Sequence, residues 1–318
     1  MLNINRFLAY AAFPFLLLRR GYHPKTLLFG GLSLGDDLLC TAVLREARNR
    51  GSPFAMMTAR PEIFSGNEDA SAILPLDDFF AAGLRRLGGR VIKPYYAGGN
   101  PKEPNRDILP RHHIIVEMCR LAGITGEIQV RPYLNLLPKE NLIHASRRKR
   151  IVIHTSTRSA KSPFETKDWV QAAWRPLSTA LKRHAEVIQI GAHSDPACEA
   201  DEDRRGKTSI REAASLISSA DVFIGLEGFL SHLARAVDCP AVVILGGRAT
   251  AESVGYPCNE NIGAAPACAP CGLRQGCPHD VECMKMIKPE TVLAAALRIL
   301  ESPTERPLRS HRVKLPEL

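Results

Sequence analysis

The stretch Thr26-Leu27-Leu28-Phe29-Gly30-Gly31-Leu32-Ser33-Leu34-Gly35-Asp36-Asp37 leads from a short apolar run, through glycines, to a helix-like run at Leu38 to Arg50. A buried strand that ends in glycines and opens a helix leaves backbone N–H groups free to face a ligand. The stretch therefore predicts a strand, a ligand-facing loop and a helix. It also presents Asp36 at the mouth of a cleft, which makes this aspartate the first candidate for chemistry.

The rest of the chain repeats the alternation of short apolar runs and amphipathic helical runs. Predicted strands lie at 54–57, 73–74, 91–92, 151–154, 187–191, 222–226 and 242–245, and predicted helices at 113–122, 168–184, 209–219, 230–237 and 289–300. Ser209, followed by Glu212, has the form of a capping box and fixes one helix start. Such alternation is typical of parallel sheets with crossover helices. It predicts an α/β protein with two Rossmann-like, doubly wound domains that face each other across a cleft.

The domain boundary is predicted at a polar, basic segment, Asn141 to Arg150. We expect an N-terminal domain over 24–145 and a C-terminal domain over 146–302, with a cysteine-rich insert at 258–283. A chain of 318 residues is long enough for two such domains. The segment 303–318 is rich in proline and arginine and predicts a loose tail.

The composition favours an anionic partner. The formal net charge is +9 and aromatic residues make up 6% of the chain, with no run of basic residues interleaved with aromatics. Phosphorylated substrates, acidic lipids and acidic sugars suit this charge, whereas a stacking surface for single-stranded nucleic acid is not expected.

Residues 1–23 contain an apolar run, Phe7 to Leu18, between Arg6 and the pair Arg19-Arg20. The run is shorter than the roughly 20 residues that span a bilayer. It predicts a basic, apolar helix that lies either at the surface of an anionic membrane or on the protein itself. The odd cysteine count, nine, and the lack of an export signal indicate a reducing compartment, so we expect a cytoplasmic protein, either free or peripheral on the inner membrane.

Three segments carry a resemblance to a known family. They are Ser33-Leu34-Gly35-Asp36, Lys167-Asp168-Trp169 and Glu227-Gly228-Phe229-Leu230-Ser231-His232. In order and spacing they resemble the motifs of the ADP-heptose lipopolysaccharide heptosyltransferases of glycosyltransferase family nine, over residues 26 to 300. The resemblance implies a GT-B type fold, a nucleotide sugar held by the C-terminal domain, an acceptor held by the N-terminal domain, and inversion at the anomeric carbon.

The resemblance also implies roles for single residues. Asp36 is the expected base that removes a proton from the acceptor hydroxyl, and Lys167, with the helix start at Leu230, is expected to stabilise the leaving diphosphate without a metal. The implied donor-binding residues are Ser33, Gly35, Thr155, Glu227, Gly228, Leu230, Ser231 and His232.

Structural alternatives stay open for several of these residues. Asp36 and Ser33 also suit a helix cap and a loop closure, and His232 suits an ordinary helix position. Lys167 alone is typical of a solvated lysine at a helix start. Arg158 and Lys161, in the loop after the strand at 151–154, suit either phosphate contacts or a solvated loop, of which we favour the second.

Two positions depart from the family pattern. Glu227 stands where the family has aspartate, and Phe229 stands where a glycine lets the backbone approach the diphosphate. These departures leave three alternatives open. The donor is bound in a different position, the transferred sugar is a different one, or this protein has lost catalytic activity.

Cys268, Cys271, Cys277 and Cys283 lie within sixteen residues, with Cys258 and His279 nearby. Four thiolates at this spacing suit tetrahedral zinc or iron, and four protein ligands would make the site structural. A loop of reduced thiols, or one disulfide, is the alternative. A similar cysteine-rich finger, reported as iron-bound, belongs to heptosyltransferase relatives that modify autotransporters.

Together these observations predict an inverting glycosyltransferase that moves a sugar, heptose from ADP-heptose, to a lipopolysaccharide core or related surface glycan. Its expected partners are a nucleotide-sugar donor, an anionic glycolipid acceptor and the inner-leaflet surface, with no nucleic acid. Catalysis is expected to need no cofactor. The alternatives are an autotransporter-type protein heptosyltransferase and a non-catalytic nucleotide-sugar-binding relative.

Overall fold

The computed structural model describes residues 25–30, 33–96, 98–140, 148–160, 164–302 and 311–315. The predicted N-terminal helix, Lys161 and most of the predicted linker lie outside these ranges. Within the ranges, no helix has both the length and the apolar composition that a membrane crossing needs.

The N-terminal half is built on a four-stranded parallel sheet in the order β3-β2-β1-β4. The elements of this half are β1 (Thr26–Phe29), α1 (Leu34–Asn49), β2 (Ala55–Thr58), β3 (Ile73–Pro75), α2 (Asp78–Arg86), β4 (Arg90–Ile92), β5 (Gly98–Asn100), β6 (Glu103–Ile108), α3 (Ile114–Leu121) and β7 (Gly126–Gln129). Short 3₁₀ turns lie at Pro61–Phe64 and Pro138–Glu140. Strands β5 and β6 form an antiparallel hairpin apart from the main sheet.

The C-terminal half contains a six-stranded parallel sheet in the order β10-β9-β8-β11-β12-β13. The elements are β8 (Arg150–Ile153), α4 (Trp174–Leu181), β9 (Glu186–Gln189), β10 (Glu202–Asp203), α5 (Ile210–Ser218), β11 (Val222–Leu226), α6 (Phe229–Ala236), β12 (Ala241–Leu245), α7 (Ala251–Val254), β13 (Glu260–Gly263), α8 (Glu282–Met286) and α9 (Pro289–Glu301). Numbered within this half, the order is 3-2-1-4-5-6, which is that of the doubly wound nucleotide-binding fold. The predicted fold class is confirmed.

The predicted loose tail is wrong in part. Residues Arg312–Leu315 form strand β14, which pairs antiparallel with β7 of the N-terminal half. Val313 lies opposite Ile128, and Leu315 is 2% exposed. The alternating side chains of β14 bury an apolar face that the flanking proline and arginine residues conceal in the sequence. The chain thus returns to its first half after completing the second.

One hydrophobic cluster runs through both halves of the molecule. It includes Leu38 and Val43 of α1, Ile115 of α3, and Leu233 of α6, all of them 1% exposed or less. Helix α1 packs directly on helix α6 across the boundary between the two halves. The two sheets are therefore joined by buried apolar surface behind the cleft.

Two predicted helix boundaries are corrected by side-chain hydrogen bonds. Helix α1 begins at Leu34 rather than Leu38, because Ser33 caps it. No helix begins at Asp168; the α-helix there starts at Trp174, because the Asp168 carboxylate accepts hydrogen bonds from the loop after β8. The predicted capping box at Ser209 and Glu212 is present.

Candidate active site

The N-termini of two helices, one from each half, meet at the cleft. Ser33 caps α1 by accepting a hydrogen bond from the Asp36 amide at 3.1 Å. A side chain added at Gly35 would place its Cβ 3.9 Å from the Cα of Phe229, the first residue of α6. Because a helix N-terminus carries partial positive charge, the two helix starts together favour an anion between the halves.

Gly228 makes the turn from strand β11 to helix α6. Its φ is +153°, which L side chains rarely adopt, so this position requires glycine. The Ser231 hydroxyl donates to the Gly228 carbonyl at 2.8 Å and accepts from the Gly228 amide at 3.2 Å. Two of the predicted donor residues, Gly228 and Ser231, thus build the turn itself.

Asp36 lies half-buried in the first turn of α1, where the positive charge of Lys167 from the other half acts on it. Burial raises the pKa of its carboxyl group, and the neighbouring charge of Asp37 adds to this effect. Hydrogen bonds from Ser33 and Tyr96 and the positive charge of Lys167 act in the opposite direction, but burial prevails. A carboxylate with a raised pKa, placed in a cleft, is suited to accept a proton.

Lys167 and Glu227 form an ion pair on the C-terminal side of the cleft, with Nζ and Oε2 2.5 Å apart and side chains 15% and 11% exposed. Burial alone would raise the pKa of Glu227, but the charge and hydrogen bond of Lys167 hold it below its usual value. Glu227 is therefore a carboxylate at neutral pH.

Trp169 explains why Lys167 reaches the cleft. The Trp169 indole Nε1 donates to the Ile287 carbonyl at 3.1 Å, and its ring packs edge-on against Trp174 at 4.9 Å between centroids. Trp169 is 3% exposed, so it fixes this segment to the core of the C-terminal half. Two residues earlier, Lys167 extends toward Glu227.

His232 lies in the second turn of α6, where its Nδ1 is 2.8 Å from the Tyr256 hydroxyl. Burial lowers the pKa of His232 to about 4, and the opposing attraction of Glu227 does not restore it. The imidazole is therefore neutral at pH 7, so it can take part in hydrogen bonding but adds no positive charge to the cleft.

Sequence reasoning missed three residues of the site, namely Tyr96, Phe164 and Arg248. Tyr96 follows β4, and its hydroxyl lowers the pKa of Asp36. Arg248 follows β12, and its guanidinium carbon lies 4.6 Å from the centre of the Phe164 ring, while Lys167 Nζ lies 5.1 Å from the same centre. The available signal was the position of Tyr96 and Arg248 just beyond the carboxyl ends of predicted strands, where α/β proteins bind ligands.

Other predicted residues have structural contacts instead. The Thr155 hydroxyl donates to the Pro196 carbonyl at 2.7 Å and accepts from Gln189 at 3.0 Å, so it is occupied within the C-terminal half. Arg158 is 68% exposed and pairs with Asp168 at 2.7 Å, which agrees with the solvated-loop interpretation.

The four clustered cysteines, Cys268, Cys271, Cys277 and Cys283, line one cavity of about 70 Å³. All four are thiols rather than disulfides. Burial raises the pKa of Cys283, and the nearby Cys271 and Cys277 raise it further. Soft sulfur donors around a small cavity fit zinc or iron. In the part of the chain that the structure describes, however, no three Cys, His, Asp or Glu side chains already stand in coordination geometry.

Two doubly wound halves, with the candidate residues at the carboxyl ends of their strands, form a fold of the GT-B type. Residues 127–272 match the model of glycosyltransferase family 9 (heptosyltransferase), a range that contains the second and third of the three motifs. No curated protein sequence matches the chain.

Solved structures agree on the fold. An iron-containing dodecameric glycosyltransferase, TibC, from enterotoxigenic E. coli is 18% identical with a TM-score of 0.69, over 89% of this chain and 77% of that one. The E. coli ADP-heptose lipopolysaccharide heptosyltransferase II is 14% identical with a TM-score of 0.62, over 87% and 98%. A family 9 glycosyltransferase from Veillonella parvula is 13% identical with a TM-score of 0.63, over 87% and 97%.

Proposed function

We propose that this protein is an inverting glycosyltransferase that transfers heptose from ADP-heptose to a lipopolysaccharide core or a related surface glycan. The observation that carries the proposal is the placement of Asp36, a half-buried carboxyl group, within electrostatic reach of Lys167 across the cleft. A base on one side and a cation on the other are the two groups that direct displacement of a diphosphate requires.

In the proposed reaction the acceptor hydroxyl lies against Asp36. As the oxygen of this hydroxyl forms a bond to the anomeric carbon, its proton moves to the Asp36 carboxylate. The bond between the anomeric carbon and the diphosphate oxygen breaks on the opposite face, so the configuration inverts. The electron pair leaves with the diphosphate, where Lys167 and the N-terminus of α6 stabilise the added negative charge.

Glu227 has a different proposed role from that of Asp36. Its carboxylate pairs with Lys167 and is buried beside the turn at Gly228. It is positioned to accept hydrogen bonds from sugar or ribose hydroxyls while it holds the lysine in place. Glu227 stands where the family has aspartate, but its carboxylate still forms an ion pair with Lys167, at 2.5 Å.

The donor and acceptor are proposed on chemical grounds together with the family match. The structures that share this fold include E. coli heptosyltransferase WaaC with ADP, with a TM-score of 0.55. An anionic acceptor, such as a phosphorylated glycolipid at the inner leaflet, suits the formal net charge of +9.

The four clustered cysteines are proposed to hold one zinc or iron ion. With four thiolate ligands, such an ion would stabilise the fold of the cysteine-rich segment rather than bind substrate. The similar TibC structure is described as iron-containing. Metal analysis of the purified protein should find about one ion per chain, and Cys271→Ser should lower that content strongly.

The cysteine-rich segment, which resembles that of heptosyltransferases that modify autotransporters, supports one second candidate, transfer of heptose to a protein. This function and transfer to a glycan are separated by intact-mass measurement of surface proteins co-expressed with the enzyme, because only protein glycosylation adds heptose masses to them.

The main experiment is a thermal-shift titration with ADP-heptose and ADP, followed by a transfer assay with isolated lipopolysaccharide core. We expect ADP-heptose to raise the melting temperature, because it binds only the folded state, and we expect heptosylated core as product. Binding without product under any acceptor would instead support a non-catalytic nucleotide-sugar-binding protein.

A further inference from the structure

We propose that Arg248 is a second cation of the donor site and binds the diphosphate beside Lys167. The inference rests on the proposed function, because it takes the ligand to be a nucleoside diphosphate. The three motifs do not contain Arg248, which lies in the loop that follows β12.

The backbone brings Arg248 close to Lys167. A Cβ added at Gly246 would lie 2.6 Å from the carbonyl oxygen of Thr166, so only glycine lets the loop after β12 pass this close to the residue before Lys167. Two residues further on, Arg248 is 8% exposed. The arginine is therefore buried next to the lysine, not displayed on the surface.

The Phe164 ring orients the cations of this site. The guanidinium of Arg248 and the ammonium of Lys167 both stand over this ring, at 4.6 and 5.1 Å from its centre, and Arg274 is 5.9 Å away. Arg248 also lowers the pKa of Glu227 and acts in the same direction on Tyr96, which places its charge within reach of groups from both halves.

Three cations and three carboxyl groups lie around Phe164 and Lys167. Lys167, Arg248 and Arg274 supply the positive charges, and their ion-pair partners are Glu227 and Asp107. The third carboxyl group, that of Asp36, acts on Lys167 from the other half, and burial disfavours its charged form. The acceptor oxygens of a diphosphate at this place would meet a guanidinium and an ammonium group.

The hydrogen bonds of Arg248 point to the same conclusion. Asp107 of strand β6 binds one terminal nitrogen of the guanidinium, Nη2, and so fixes its plane. Nε of Arg248 is buried and has no hydrogen-bond partner among the described residues. Buried N–H groups are nearly always paired, and a phosphate oxygen is a strong acceptor for guanidinium.

Arg248 also lines the cysteine cavity, so its positive charge could instead stabilise thiolates that hold a metal. The two roles predict different losses when Arg248 is replaced. If Arg248 binds the diphosphate, pyrophosphate binding weakens; if it stabilises the thiolates, only the metal content falls.

The test is calorimetric titration of the full chain with inorganic pyrophosphate and with ADP. For Arg248→Gln we expect both dissociation constants to rise about tenfold to a hundredfold, and for Arg248→Lys we expect a smaller rise because one point charge remains. In Arg248→Gln, Asp107 keeps its second partner, Arg274. Asp107→Asn/Arg248→Gln removes both charges of the Arg248 pair, so it repeats the measurement with that pair absent. Arg298→Gln, at an arginine that is 58% exposed, is the matched control and should bind like the wild type.

Each other outcome has a definite meaning. If wild type binds both ligands and the two Arg248→Gln proteins bind them equally well, Arg248 is not a donor cation, although the proposed function stands. If those proteins bind pyrophosphate normally but lose metal, Arg248 serves the cysteine cavity and the inference is wrong. If wild type binds neither pyrophosphate nor ADP, the inference and the proposed donor are both wrong.

Discussion

Asp36 and Asp37 are neighbours in the first turn of helix α1, but Asp37 is bound within its own half while Asp36 faces the other. The Asp37 carboxylate accepts hydrogen bonds from Thr58 at 2.8 Å and from Arg60 at 3.0 Å, and its side chain is fully buried. Asp36 instead lies near Tyr96 and Lys167. One aspartate holds the loop in place, and the adjacent one keeps its carboxyl group at the cleft.

This difference predicts that two similar substitutions change the free energy of unfolding by unequal amounts. Asp37→Asn should lower the free energy of unfolding by about 2 to 3 kcal/mol, because it leaves Arg60 without its buried counter-charge. Asp36→Asn should change it by less than about 1 kcal/mol, because burial already disfavours the charged form of Asp36. Urea denaturation of both variants measures the effects, and equal losses would contradict the assignment.

Tyr96→Phe should shift the acidic limb of the activity profile. The hydrogen bond from Tyr96 lowers the pKa of Asp36, so its removal raises that pKa and the base becomes protonated at a higher pH. Activity should therefore be lost at a higher pH in the variant than in wild type, as measured by kcat/KM for heptosyl transfer. Tyr95→Phe is the matched control, because Tyr95 is 46% exposed and should leave the limb in place. If the acidic limb lies at the same pH in both variants as in wild type, Tyr96 does not influence the pKa of Asp36.

His113 should make the protein less stable in acid. Burial lowers the pKa of His113 to about 3, so the folded state keeps it neutral while the unfolded chain takes up a proton near pH 6.5. The unfolded state then binds more protons below pH 6.5, and stability falls as the pH drops, by about 3 kcal/mol for this group between pH 7 and pH 4.

His113→Asn provides the test. The Nδ1 atom of His113 accepts from the Ile115 amide at 3.2 Å and caps helix α3, a role that asparagine can fill without titrating. The variant should lose about 3 kcal/mol less than wild type between pH 7 and pH 4 in denaturant titrations. If the unfolding free energies of the two proteins fall by the same amount between pH 7 and pH 4, His113 does not cause the acid sensitivity.

Asp107 should stabilise the contact between the two halves. Its carboxylate is 5% exposed and binds Arg248 and Arg274, both from the C-terminal half, the second through Nε at 3.0 Å. Asp107→Asn should cost about 3 kcal/mol of unfolding free energy, because it leaves two neighbouring guanidinium groups without their counter-charge. Glu103→Gln, on the same hairpin but 54% exposed, should cost less than about 0.5 kcal/mol. Similar losses of unfolding free energy in both variants would show that the effect comes from changing the hairpin in general and not from the ion pairs of Asp107.

The sheets and the main site residues could be predicted from the sequence because their signals are local. Apolar runs such as Val222–Leu226 are buried strands by composition alone, and glycines after β1 and β11 mark the turns that face the cleft. The motif order then identified Asp36, Lys167 and Glu227, which the structure brings together.

The missed features depend on contacts between distant parts of the chain. Strand β6 is mostly polar, and its edge pairs with the cysteine-rich segment through a bridge between Arg106 and Leu273. Arg248 and Asp107 are 141 residues apart and have no sequence motif in common. Local patterns carry no information on such pairs, because the pairs exist only once both halves have folded.

The most direct test of the account is a single-turnover assay of wild type and Asp36→Asn with ADP-heptose and a heptose-accepting core. We predict that the variant binds ADP-heptose with an unchanged dissociation constant but forms product about a hundredfold to ten-thousandfold more slowly, because only proton removal is lost. Unchanged product formation in Asp36→Asn would contradict the assignment of Asp36 as the base and, with it, the proposed mechanism.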